Sequence, residues 1–321
     1  MIPLRDDNPT RHVPFVTLAI IALNVVVFLF WQPTFGSEQE QEVFWFCHAE
    51  IPWEVTHQTS LGVGGDEAAR AIADQFDEGL DQARADQDTL RRECGGKSWW
   101  ASVFVAMFLH ANWLHIGGNM LFLWVFGNNV EDKLRPLLFL LFYLGAGLAA
   151  AAAQVAVSTD SVIPNLGASG AIAGVLGAYL VMFPRRKVLT LVIFFFITVV
   201  SLPAVVVLGF WFVLQVVSGL LELGQRVGVG SGVAFWAHIG GFVFGAGLAL
   251  LFFPKERIRQ RPPPRRPDVD RSRAGWRRLR RGSASPPGWQ ERPDPGASGG
   301  GSPPRPDAGD PWSLPPGTGQ G

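Results

Sequence analysis

Apolar residues in this chain come in long unbroken stretches rather than in alternating or heptad patterns. Six windows, 12–37, 98–130, 136–159, 161–184, 188–221 and 227–254, carry no Asp, Glu, Lys or Arg. Each has at least 24 residues. About 20 apolar residues, rising 1.5 Å each in a helix, cross a ~30 Å hydrocarbon core. The pattern therefore predicts six membrane-spanning helices, the fifth over about 203–223. Buried helices of a large soluble protein would carry charged faces between the apolar ones, and none occur here. The first window runs from Phe15 to Trp31 without a small-residue cleavage site, and further spans follow, so it is read as a retained helix.

Composition agrees with this pattern. Of 321 residues only 17% are charged and 48% are hydrophobic, with 24 Phe and 12 Trp. Soluble domains carry roughly a quarter charged residues. The 27 basic residues balance 27 acidic ones, which removes any case for a nucleic-acid partner from bulk charge. With a cytoplasmic N-terminus, the inner segments 1–11, 131–135, 185–187 and 255–321 hold 21 Lys and Arg, and the outer segments 38–97, 160 and 222–226 hold 6. The positive-inside rule then predicts that both termini face the cytoplasm. The excess of Arg over Lys, 23 to 4, points to a GC-rich, bacterial genome and hence a plasma membrane.

Three regions follow: a cytoplasmic N-terminus over 1–13, a six-span domain over 14–254, and a cytoplasmic tail over 255–321. An outer loop, 33–98, is inserted between the first two spans. Its 38–97 portion has 14 acidic and 5 basic residues. Asp66 to Arg92 is rich in helix formers and is expected as one solvated helix. Phe44, Trp45, Phe46 and Trp53 suggest a part lying at the membrane interface. Cys47 and Cys94, the only cysteines, both fall in this loop, where an oxidising exterior favours a disulfide over two free thiols. The tail is dominated by Arg, Pro, Gly and Ser, cannot bury a core, and is expected to be disordered. Its basic clusters could rest on anionic lipid or serve only as topology charges.

Polar side chains inside membrane spans are costly, so each is a functional candidate. His115 and Asn119 lie in the second span, Ser169 opens the fourth, and His238 lies in the sixth. With the expected orientation all four sit in the outer half of their spans, and this shared depth argues for one site. A serine hydroxyl becomes a competent nucleophile when a base takes its proton, and His238 is an available base. His115 and Asn119, four apart on one helical face, could steady an oxyanion. No Asp or Glu occupies the outer half of any span, so a Ser–His dyad is indicated rather than a triad. Asn24 and Gln215 read as interhelical packing amides. His110, expected near the surface, could with His115 instead hold a metal given a third ligand, but no carboxylate or cysteine lies at that depth.

These residues carry a resemblance. HANWLHIGGN (110–119), GNNVED (127–132), GASGAIAG (167–174) and AHIGGFVFG (237–245) resemble the motifs of the rhomboid intramembrane serine proteases, in the family's order, over roughly 1–254. The resemblance implies an all-α, six-transmembrane-helix bundle that cleaves the transmembrane helices of client proteins in the lipid bilayer without a cofactor or metal. It implies Ser169 as nucleophile and His238 as base. His115, Asn119 and the Ser169 backbone N–H would form the oxyanion hole, Gly167 would shape the turn, and His110 would be structural. Two departures stand out. Ala173 replaces the aromatic on which the family's catalytic histidine often stacks, so Phe235 or Trp236 is expected to hold the imidazole. Trp99 and Trp100 stand where some members have Trp-Arg. Gly170, Gly174 and Gly177 on the fourth span and Gly241 and Gly245 on the sixth offer small faces for close packing. The GVGSG segment, 228–232, could cap the site, and with the fifth span it could gate lateral access. The competing readings are a non-catalytic rhomboid-like binding module and a transporter, though matching broken halves are not evident. A further alternative is that the outer loop or the basic tail carries the main role as an adaptor.

Overall fold

The computed structural model describes residues 1–193, 197–223 and 233–253. The expected cap at 228–232 and the tail at 255–321 lie outside the described residues. The chain is mostly helical. Strand β1 (Ile2–Asp6) is followed by α1 (Phe15–Phe30), and then by α2 (Glu38–His48), α3 (Pro52–His57), α4 (Gly65–Phe76) and α5 (Leu80–Cys94) of the outer loop. Next come α6 (Trp99–Val105), α7 (Trp113–Phe122), α8 (Asn128–Leu134), α9 (Pro136–Val157) and α10 (Ser169–Met182). Strands β2 (Lys187–Ile193) and β3 (Ile197–Pro203) precede α11 (Ala204–Glu222) and α12 (Phe235–Phe252). Among the described residues, α9, α11 and α12 are long and apolar enough to cross a membrane. The helices Phe15–Phe30 and Ser169–Met182 are apolar but shorter. A five-residue π segment, Leu123–Gly127, joins α7 to α8.

The expectation of an all-α chain needs correction. β1, β2 and β3 form an antiparallel sheet in that order, with Ile2 opposite Leu191 and Val188 opposite Leu202. The run 187–203 is rich in Val, Ile and Thr, whose branched side chains suit a strand. It lacks charge after Lys187 only because it is apolar, and helix begins at Ala204. Asp6 at the end of β1 ties this sheet to the helices, accepting from Tyr179 Oη at 2.6 Å and Asn129 Nδ2 at 2.7 Å. Burial pushes its carboxyl up to about 6, against the opposing pull of the Tyr179 hydrogen bond. Glu131 in α8 accepts from the Val16 and Thr17 N–H groups and from Thr17 Oγ1. It thereby satisfies the otherwise unpaired donors in the first turn of α1.

The 38–97 segment forms a small packed unit, and within it Asp66–Arg92 is two helices rather than the one solvated helix expected. Asp66–Arg92 divides at Asp77, which adopts the left-handed conformation (φ 54°). α4 and α5 then fold back on each other, burying Ala68, Ile72 and Ala83 with Ile51, Trp53, Leu61 and Val162. Trp53, expected at the membrane interface, is in this core at 2% exposure. Cys47 and Cys94, at the ends of α2 and α5, are joined as a disulfide. Lys97 Nζ pairs with Glu54 at 2.7 Å, both side chains being buried, and donates to the Phe46 carbonyl at 2.8 Å.

In the helical core α10 is enclosed by α9 and α12, with eleven of its fourteen residues buried. Glycines permit this. A Cβ on Gly241 would collide with the Gly170 carbonyl, and one on Gly245 with the Gly174 carbonyl. Two backbones touch where side chains would separate them.

Candidate functional site

Ser169 is the first residue of α10, so its backbone N–H has no partner within the helix. The segment before it is fixed from two sides. Gly167 N–H donates to the Ala106 carbonyl at 2.8 Å, and Asn165 N–H to the Glu50 carbonyl at 2.7 Å. Gly167 has φ +130°, a conformation L side chains rarely adopt, and a Cβ there would lie 2.9 Å from His115 Nε2. Glycine thus both makes the turn and leaves room for the imidazole beside the serine.

His238 lies in the first turn of α12. Its Nε2 is 2.8 Å from Ser169 Oγ and its Nδ1 is 2.8 Å from Gln215 Oε1 on α11. The close α10–α12 contact, where Gly241 meets the Gly170 carbonyl, lies one residue after Ser169 and three after His238, so glycine packing sets the reach of the bond. The expectation that Phe235 or Trp236 holds the imidazole needs correction. Trp211 faces it, with ring centroids 5.8 Å apart and planes 38° apart, whereas Phe235 and Trp236 lie against Gly219.

His115 and Asn119 share one face of α7. Asn112 caps this helix, accepting from the His115 N–H at 2.9 Å. The Ala111 N–H donates to His115 Nδ1 at 3.3 Å, so the proton of a neutral ring is on Nε2, the nitrogen beside Gly167. Asn119 is buried, and its Nδ2 is without a hydrogen-bond partner. An unpaired buried amide donor is expensive unless a ligand supplies the acceptor. His115 Nε2 and Ser169 Oγ both border the open side of Gly167, and the unpartnered Asn119 Nδ2 lies one turn further along the His115 helix, so with the Ser169 N–H the site has three uncharged candidate donors. Together they can receive a developing oxyanion.

His110 is fully buried rather than at the surface, and its ring meets that of His115 edge to face at 5.1 Å. Its backbone is held by Gln32, whose Oε1 accepts from the His110 N–H and whose Nε2 donates to the His110 carbonyl. Asn24 bonds within its own helix, to the Ile20 carbonyl, and not between helices. Among the described residues, no group of three His, Cys, Asp or Glu side chains is arranged to hold a metal ion.

Two residues at this site were not assigned to it from the sequence. Gln215 reads as a packing amide and Trp211 as one apolar residue among many. The available signal was their four-residue spacing on α11, with Gln215, Ser218 and Glu222 the polar side chains in the C-terminal half of that helix.

The family profile described as Rhomboid domain matches residues 96–255, which hold every residue of the site. Over 99 residues the chain is 35% identical to "Rhomboid protein 1, mitochondrial" of Saccharomyces cerevisiae, covering 28% of each protein. It is 34% identical over 131 residues to "Rhomboid protease GluP" of Bacillus subtilis, covering 40% of this chain and 24% of the relative. A third match, 32% over 97 residues, is to "Rhomboid-like protein 11, chloroplastic" of Arabidopsis thaliana, with 29% and 34% covered. The chain thus spans about a quarter to a third of the length of these relatives.

Proposed function

The chain belongs to the rhomboid family, and we propose that it is an active intramembrane serine endopeptidase whose catalytic pair is Ser169 and His238. The observation that carries this reading is the 2.8 Å bond between Ser169 Oγ and His238 Nε2, together with the buried Asn119 Nδ2 that has no hydrogen-bond partner. In this reading α1, the α7–α8 unit, α9, α10, α11 and α12 are the six spans. Both termini are cytoplasmic, and the outer unit 38–97 lies on the far side of a bacterial plasma membrane. The substrate is a transmembrane helix of a client protein, opened near its outer end, because an intact helix withholds its peptide carbonyls. Helices with Gly, Pro or small residues at that depth are the favoured clients.

The chemistry follows from the positions of the protons. Ser169 Oγ attacks the scissile carbonyl carbon as its hydroxyl proton passes to His238 Nε2. The carbonyl electrons move to oxygen, where Asn119 Nδ2, His115 Nε2–H and the Ser169 N–H receive the charge. As the C–N bond breaks, His238 returns the proton from Nε2 to the leaving amine. Water, losing a proton to His238 Nε2, then attacks the acyl carbon, and the same proton passes to Ser169 Oγ as the ester bond breaks and the acid is released. Each partner of the base is uncharged, so the site buries no permanent ion.

Purified Ser169→Ala in liposomes should cleave no transmembrane substrate while remaining folded. A fluorophosphonate probe should label the wild type and not this variant. Wild-type cleavage by Ser169→Ala would refute Ser169 as the nucleophile, and a wild type that neither cleaves nor takes the probe would favour a non-catalytic client-binding protein.

A further inference from the structure

The chemistry above uses one nitrogen of His238, yet the other is also engaged. Gln215 Nε2 donates to the Trp211 carbonyl at 3.3 Å, one turn back on α11. A backbone carbonyl only accepts, so the amide nitrogen must face it and Gln215 Oε1 must face His238. Oε1 is also only an acceptor, and it lies 2.8 Å from Nδ1. The hydrogen between them therefore belongs to Nδ1. In the neutral ring this leaves the Nε2 lone pair directed at Ser169 Oγ, 2.8 Å away. The directionality starts at one carbonyl of α11 and ends at the nucleophile.

We propose that Gln215 is the positioning residue of the Ser169–His238 pair, an uncharged acceptor that selects the imidazole tautomer able to take the serine proton. The proposal rests on the protease reading and adds to it. In a Ser–His–Asp triad a carboxylate holds Nδ1–H and stabilises the imidazolium. Here an amide dipole does the first task without burying a charge in a low-dielectric site. When Ser169 gives its proton to Nε2, both ring nitrogens carry hydrogen and the Nδ1–H bond to Oε1 persists. When Nε2 returns that proton to the leaving amine, the ring reverts to the same tautomer, so Gln215 neither gains nor loses a proton in the cycle. Trp211, on the same face of α11, limits rotation of the ring. A packing amide would need none of this order: it would satisfy itself on any neighbouring backbone group.

Two measurements test the assignment. In wild-type protein labelled with ¹⁵N-histidine, in micelles at neutral pH, His238 (identified by its loss in His238→Ala) should show the Nδ1–H tautomer. The Nε2–H form, or an even mixture, would overturn the proposal, and this readout needs no variant of Gln215 to fold. In kinetics, Gln215→Leu should lower kcat about 10- to 100-fold, on the scale of lost orienting partners, with KM little changed. Gln215→Glu, which keeps the length and an acceptor oxygen, should recover at least half of that loss on a logarithmic scale. Equal impairment of both variants, or wild-type kcat in Gln215→Leu, would overturn it. Ser169→Ala separates the two ideas. If it cleaves at the wild-type rate, the Ser169–His238 reading falls, and the role of Gln215 with it. If it is inactive while Gln215→Leu is unimpaired, only the role of Gln215 falls.

Discussion

A buried amide nitrogen with no partner is rarely left so without a use. Asn119 Nδ2 is in that position, while the imidazole of His115, one turn earlier on the same helix, has its hydrogen directed by a backbone N–H. The two donors differ in consequence. Asn119→Ala removes a donor and a small volume, and does not disturb the Ser169–His238 bond. Turnover should therefore fall by about 100- to 1000-fold, the usual loss for one oxyanion donor. Fluorophosphonate labelling should slow in parallel, because the probe's phosphoryl oxygen uses the same donors. Normal turnover in Asn119→Ala would show that His115 and the Ser169 N–H suffice. These site residues were legible in the sequence because polar groups are conspicuous in an apolar run. Gln215 was equally visible. Its role was not, since a glutamine between helices has the same composition whether it packs or directs a hydrogen.

Helices α10 and α12 bring Ser169 and His238 together, and they do so through absent side chains. Gly241 and Gly245 rest against carbonyls of Gly170 and Gly174. A methyl group at Gly245 meets the α10 backbone, which cannot rotate aside as a flexible side chain can. Gly245→Val should therefore push the helices apart, destabilising the protein by about 1–3 kcal/mol as overpacked cores do. A shift of about 1 Å between nucleophile and base costs on the order of 100-fold in rate. The expected pattern is a folded, slightly less thermostable protein with little cleavage, measured by a melting curve and a substrate assay on one preparation. Full activity would show that α12 can slide without parting Ser169 from His238. At this scale the sequence reading was uneven for a physical reason. Absence of charge marks apolar burial but not backbone geometry, so the strands Lys187–Ile193 and Ile197–Pro203 are hidden in the same uncharged window as the helix expected at about 203–223. The break at Asp77 was hidden similarly: good helix formers flank it, and the packing of Ile72 and Ala83 against Trp53 and Leu61 decides it.

At the scale of the whole molecule, the outer unit is fastened to the segment that leads into the site. Asn165 N–H bonds to the Glu50 carbonyl, Trp53 N–H to the Ser161 carbonyl, and Thr56 Oγ1 to the Thr159 carbonyl. The net neutrality of the chain conceals that this unit, with its acidic excess, contains a buried group of Glu50, Glu54 and Lys97. Burial raises the Glu50 carboxyl to about 8, with Lys97 pulling the other way, and Glu54 is also raised. The folded state then holds a proton on Glu50 that the unfolded chain releases near pH 4.5. Stability from this group is complete below about 4.5 and is lost as pH rises through about 8. Lys97, lowered by burial, acts with the opposite sign, so a single-site comparison is needed to isolate Glu50. Glu50→Gln keeps the shape and removes the titration. Its melting temperature should match the wild type near pH 4.5 and exceed it progressively toward pH 9, followed by scanning fluorimetry across that range. If the two curves run parallel, Glu50 is ionised in the fold and Lys97 neutralises it together with Glu54. If they diverge as expected, alkaline pH loosens the unit that holds Asn165, two residues before Gly167 and four before Ser169.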